Sequence, residues 1–242
     1  MDRNSNSYTF LFAVILVAVV ASALAFAATQ LQPAQAKNVK EEKMQNILGT
    51  VGISTSRDSA QVLFDKHITQ RIALGADGKE KPEVNAFEVD LKKELKKPVE
   101  EQSFPLYVAD VEGVKYYVVP LRGKGLWDAI WGYVALKDDV NTIKGAVFDH
   151  KGETPGLGAE ITQEWFRKRF EDEKILDESG NFIGVSVAKG YQGGDNKDDN
   201  AVDAISGATI TGDGVTDMIS ERLKNYLPYF KENTNVKVAA NL

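Results

Sequence analysis

Residues 203–211 (Asp-Ala-Ile-Ser-Gly-Ala-Thr-Ile-Thr) gather the chain's best candidates for chemistry. They supply the carboxylate of Asp203, the hydroxyls of Ser206, Thr209 and Thr211, and the small residues Gly207 and Ala208. Behind them Val215, Met218, Ile219, Arg222, Leu223, Tyr226 and Leu227 recur at helical spacing and predict a helix with an apolar face. A Gly/Ser/Thr-rich loop entering a helix offers free backbone N–H groups and the positive end of the helix dipole, which suits a phosphate. The same stretch also reads as a turn with an ordinary N-cap.

The composition narrows the chemistry. The chain has 242 residues, enough for one membrane or targeting segment and one or two globular lobes. Its net charge of −6, with no Lys/Arg stripe, argues against nucleic acid as a partner. Cysteine is absent, which excludes disulfides, Fe–S clusters, thiolate zinc sites and thioether haem. Two histidines, His67 and His150, do not make a multi-histidine metal site, and no residue is assigned as a metal ligand or catalyst. An organic cofactor such as a flavin is then the remaining route for electrons.

The elements that must position the motif follow from the N-terminus. Tyr8 to Ala28 is almost continuously apolar and long enough to cross a membrane. Ala34-Gln35-Ala36 resembles a signal-peptidase site, but the apolar core exceeds a signal h-region, so residues 1–36 are read as a retained anchor in lipid. Residues 37–103 form a membrane-proximal segment: a charged helix and linker over 37–56, a helix over Ser59–Leu74, a short strand over Asn85–Leu91 and a charged run to Glu101.

A domain over 104–230 follows. Phe104–Val111 and Val114–Leu121 predict a hairpin across Glu112-Gly113, with further strands at Ile130–Leu136, Ile143–Phe148 and Phe182–Ala188. Ile161–Phe170 predicts a helix, Lys189–Asn200 a polar mobile loop, and 231–242 a poorly ordered tail. Strands and helices mix without β-α alternation, so the fold class is α+β: one N-terminal transmembrane helix, then a soluble mixed domain. Gly123-Lys-Gly125-Leu126-Trp127 and Glu153-Thr154-Pro-Gly156-Leu157-Gly158 read as turns, and the first lacks the third glycine of a dinucleotide fingerprint.

The motif Asp203-x-x-Ser206-Gly207-Ala208-Thr209-x-Thr211 resembles the flavinylation motif of proteins that carry FMN covalently. Together with the two Gly-rich loops it resembles the C-subunit family of bacterial sodium-translocating NADH:quinone oxidoreductases, best over about Pro105 to Pro228. A more distant likeness is to the G subunit of Rnf electron-transport complexes; the segment 37–100 favours the sodium-pump family. The resemblance implies one covalent FMN, esterified through its phosphate to Thr211 by a dedicated flavin transferase. Asp203, Ser206, Gly207, Ala208 and Thr209 would be recognition or phosphate-loop positions. Glu153, Thr154, Gly156, Leu157 and Gly158 would pack against the isoalloxazine ring, with Gly125, Leu126 and Trp127 on its other side.

It further implies a domain on the outer (periplasmic) side of the cytoplasmic membrane. There the flavin would pass electrons to a second covalent FMN on the integral-membrane B subunit, then to quinone, while other subunits oxidise NADH and bind sodium. Two alternatives stand beside this: an Rnf-type FMN subunit, and a membrane-tethered binding or assembly domain in which the Ser-Gly-Ala-Thr loop is only a turn.

Overall fold

The computed structural model describes residues 5–191, 193–194 and 196–234, and the chain divides into two units at the 43/44 boundary. The first unit is the greater part of helix α1 (Asn6–Thr50), which is long and apolar enough to cross a membrane. The helix continues through the charged stretch after residue 37 to Thr50, beyond the point where a linker was expected. Lys37 and Glu41 sit four apart on it and pair across one turn.

The second unit is built on a five-stranded antiparallel meander, β1 (Ile68–Leu74), β2 (Phe104–Val111), β3 (Val114–Lys124), β4 (Ala129–Leu136) and β5 (Ile143–His150), in spatial order 1-2-3-4-5. The β2–β3 turn forms as its two residues require. Glu112 (φ 55°) and Gly113 (φ 83°) are both left-handed, and Asp110 Oδ1 accepts from the Gly113 N–H at 3.0 Å. Alternation along β2 sends side chains to two cores. Phe104, Leu106 and Val108 face the layer made by α5 (Thr209–Leu223) and α6 (Leu227–Asn233). Tyr107 and Ala109 face Met44, Ile47 and Leu48 of α1 and Phe64 of α2 (Arg57–His67).

Several local expectations are corrected. The helix expected over Ser59–Leu74 ends at His67, and Ile68–Leu74 is strand β1 paired to β2. An apolar spacing of four puts two residues on one face in a helix and in a strand alike, so the pattern did not discriminate. A bulge between Ile68 and Gln70 then turns Ile68 into one core and Ile72 into the other. The strand expected over Asn85–Leu91 is a 3-10 turn at Ala86–Glu88, with Asn85 accepting from the Phe87 N–H. It leads into α3 (Leu91–Glu94), capped by Asp90. Asx side chains compete with strand pairing for those N–H groups.

The helix expected at Ile161–Phe170 is broken into 3-10 turns at Gly158–Thr162 and Lys168–Phe170 around the single turn α4 (Glu164–Arg167). The strand expected over Phe182–Ala188 shortens to β6 (Ser186–Ala188), which pairs in parallel with β7 (Ala201–Asp203). Lys231–Asn233, expected in the tail, completes α6, and 235–242 lie outside the described residues.

Candidate functional site

Two glycines decide where the motif helix α5 lies. A Cβ on Gly214 would stand 2.3 Å from the Lys124 carbonyl oxygen, and one on Gly123 would stand 2.8 Å from Met218 Cβ. Helix and strand therefore meet backbone to backbone, with Val215, Met218 and Ile219 filling the core beneath. The approach to α5 is held by Arg169, whose guanidinium stacks over Trp165 at 4.7 Å and donates to the carbonyls of Asp203 (2.5 Å) and Ala204 (3.4 Å). Gly207 takes φ +76°, the turn that lets the chain enter the helix. The first intrahelical bond runs from Gly212 N–H to Ala208 O at 2.9 Å, so the N–H groups of Thr209, Ile210 and Thr211 precede it.

Two strand-end loops come to meet this helix start. After β3, Gly125 N–H closes a turn onto Asp128 O at 2.8 Å, carrying Leu126 and Trp127 at its tip. After β5, the Glu153 N–H donates to His150 Nδ1 at 3.1 Å, which puts the ring proton of a neutral His150 on Nε2. Further along, Leu157 and Ala159 N–H groups both donate to Thr154 O, and Gly156 N–H donates to Glu160 Oε1. The loops are joined by the Trp127 indole, which donates to Thr154 Oγ1 at 3.2 Å.

Glu153 ties all three segments. Its Oε1 accepts from the Trp127 N–H at 3.0 Å, and its Oε2 accepts from the Thr211 hydroxyl at 2.6 Å. Both Glu153 and Thr211 are buried. Burial alone would raise the Glu153 pKa. The Thr211 hydroxyl and the backbone N–H groups of Trp127, Leu126 and Asp128 outweigh it and hold the carboxyl below its ordinary range. The space around the pair excludes side chains: a Cβ on Gly158 would lie 2.5 Å from both Thr211 Oγ1 and Glu153 Oε2, and one on Gly125 would lie 2.6 Å from Glu153 Oε1.

One cavity of about 210 Å³ opens over this pair, lined by Leu126, Glu153, Thr154, Leu157, Gly158, Gly207, Ala208, Thr209, Ile210 and Thr211. Nine of the fourteen residues singled out in the sequence for cofactor binding thus share one wall. Trp127 lies alongside, bonded to Glu153 and Thr154 but with its ring exposed. Gly156 (φ +76°) serves the turn, and Ser206 and half-buried Asp203 stand back from the cavity. Ile210, hidden in the motif as its variable position, adds an exposed apolar side chain to the rim with Leu126 and Leu157. His150 and Arg169 hold backbone at the site, roles that only their contacts reveal. A larger cavity, about 420 Å³, lies among residues 45–55 and Glu164–Glu171 and contains none of the motif residues. Convergence of the motifs, not volume, selects the smaller one.

The sequence pattern of the FMN-binding domain family matches residues 125–224, which span both loops and the motif helix. The C subunit of the Na(+)-translocating NADH-quinone reductase of Neisseria meningitidis serogroup A is 30% identical over 251 residues, covering 96% of this chain and 95% of its own. The protein of that name from Pseudomonas aeruginosa is 28% identical over 239 residues, covering 90% of this chain and 91% of its own. The crystal structure of the C subunit from Parabacteroides distasonis superposes with a TM-score of 0.75 at 36% identity, over 82% of this chain and 96% of that one. With near full-length similarity at this identity and the same fold, the chain belongs to the family of the C subunit of the Na(+)-translocating NADH-quinone reductase, an oxidoreductase.

Proposed function

We propose that the chain is a membrane-anchored electron carrier of an NADH–quinone reductase complex, holding one FMN ester-linked through its phosphate to Thr211. The observation that carries this is Thr211 itself: it lines the cavity in which all three motifs meet, and its hydroxyl is held by a carboxylate at 2.6 Å. The residues suit the group. Gly207 and Ala208 line the cavity wall at the helix start, and the leading N–H groups of α5 can donate to phosphate oxygens there. Leu126, Leu157 and Ile210 offer exposed apolar surface to a flat ring system. At about 210 Å³ the cavity is smaller than one enclosing a whole drug-sized ligand, which suits a tethered ligand whose ring stays accessible to a redox partner. Bound there, FMN supplies one- and two-electron redox chemistry.

By family, the neighbours in this reading are the other subunits of the complex, with the flavin-carrying B subunit receiving the electrons and a flavin transferase acting during maturation. The apolar part of α1 would lie in the lipid of the cytoplasmic membrane with the domain on its periplasmic side. A denaturing gel of the full chain co-expressed with a flavin transferase, viewed under ultraviolet light, tests the reading. We expect a fluorescent wild-type band and a dark Thr211→Ala band; a dark wild type beside a loaded control substrate would refute it.

A further inference from the structure

We propose that Glu153 is the general base for flavin attachment to this chain: its carboxylate takes the Thr211 proton as the hydroxyl attacks phosphorus. The inference rests on the covalent reading above and adds the residue that makes the hydroxyl reactive. A threonine hydroxyl is a weak nucleophile until a base within hydrogen-bond reach removes its proton. Glu153 Oε2 is that base by position, 2.6 Å from Thr211 Oγ1 and already the acceptor of its proton.

The geometry is fixed on both sides. The Trp127 N–H holds Oε1 at 3.0 Å, which turns Oε2 toward the threonine. Gly158 and Gly125 leave no side chain to part the pair. Both residues are buried, so water does not compete for the bond, while both line the cavity from which a donor must come. His150, at the start of the same loop, has its Nδ1 occupied by the Glu153 N–H. The N–H groups around Glu153 hold its carboxyl below the ordinary range, so it stands ionised.

The donor must carry the FMN phosphate in activated form, and a flavin dinucleotide does so through its pyrophosphate. In the transfer, Thr211 Oγ1 bonds to the phosphorus of the FMN half, the pyrophosphate P–O bond breaks, and AMP leaves with the electron pair. The Thr211 proton passes to Glu153 Oε2. Nothing is oxidised or reduced.

The test follows covalent flavin with time on denaturing gels, using purified unloaded full-length chain, flavin transferase and the flavin dinucleotide. Wild type, Glu153→Gln, Glu153→Ala with and without formate, and Thr211→Ala are compared. Glu153→Gln keeps an oxygen acceptor of the same shape, so the loop and helix stay joined. We expect it to load about a hundredfold more slowly or worse, within the usual range for general-base loss. Formate should restore part of the rate to Glu153→Ala, because a small carboxylate fits the space vacated, and a bond of purely structural value would not respond in this way.

Loading of Glu153→Gln at the wild-type rate would place the base on the transferase and overturn the proposal. Slow loading of Glu153→Ala untouched by formate would overturn it as well. A wild-type chain without covalent flavin, or Thr211→Ala with it, would instead refute the covalent reading, and the control lanes keep the two failures apart.

Discussion

Thr211 and Glu153 lie 58 residues apart in sequence, yet the threonine hydroxyl donates to the glutamate carboxylate at 2.6 Å with both side chains buried. That bond joins the start of α5 to the loop leaving β5, and through Trp127 to the turn leaving β3. Most of what the site does depends on keeping those three pieces in register.

Gly158→Ala should break that register. The added methyl would sit 2.5 Å from both partners of the bond, so Glu153 and Thr211 must move apart. We expect a loss of about 1–3 kcal/mol, typical of overpacking, together with slower flavin loading. Urea melts of the unloaded chain and gel fluorescence of the loaded one read the two effects separately.

Gly214→Ala should act at a distance from the cavity. Its methyl would meet the Lys124 carbonyl oxygen at 2.3 Å, a backbone atom that cannot swing away, so α5 must lift from β3. A clear fall in melting temperature is expected, with poorer flavin loading because Thr211 travels with the helix. Gly152→Ala, with nothing within 4 Å of the new Cβ, is the control and should melt within about 0.5 kcal/mol of wild type.

Two buried glutamates should leave opposite marks on acid stability. Glu153 has its pKa held below the ordinary 4.5, so its ionised form favours the folded state. That contribution is complete above about pH 4.5 and is lost as pH falls through the folded value. Glu173 is buried beside Lys197 at 2.9 Å; desolvation raises its pKa above 4.5 despite that partner. Its stabilising protonated form is complete below the ordinary value and is lost as pH rises through the folded one. In urea melts from acid to neutral pH, Glu153→Gln should remove part of the acid-side loss. Glu173→Gln should remove a decline toward neutral pH, with Lys197 still bonded to the Arg169 carbonyl at 2.8 Å. The same slope in wild type and both variants would refute the assignment.

The apolar rim should matter to the cofactor more than to the fold. Leu126, Leu157 and Ile210 are 45%, 40% and 58% exposed, so each alanine replacement is expected to change stability by less than about 0.5 kcal/mol. If the rim covers the flavin ring, the same replacements should make bound flavin more accessible to an aqueous quencher such as iodide. Stern–Volmer slopes of loaded wild type and variants provide the measurement, and unchanged slopes would take these side chains out of ring contact.

The sequence alone determined whatever depends on neighbours along the chain. Glu112-Gly113 specifies its hairpin because both φ angles must be positive there. The apolar run after Tyr8 specifies a membrane-length helix, and residues 203–211 carry a local arrangement of hydroxyls and small residues that identifies the family by resemblance. Tertiary structure decided the rest. Spacing by four left Ile68 and Ile72 open to helix or strand until pairing with β2 chose the strand. Nothing local says that Glu153, one acidic residue among many, should stand beside Thr211. That follows from the meander bringing the ends of β3 and β5 to one edge and from Gly214 letting α5 close on Lys124. Periodicity records which face of an element is apolar, whereas contacts between distant segments are set by how closely their backbones can approach.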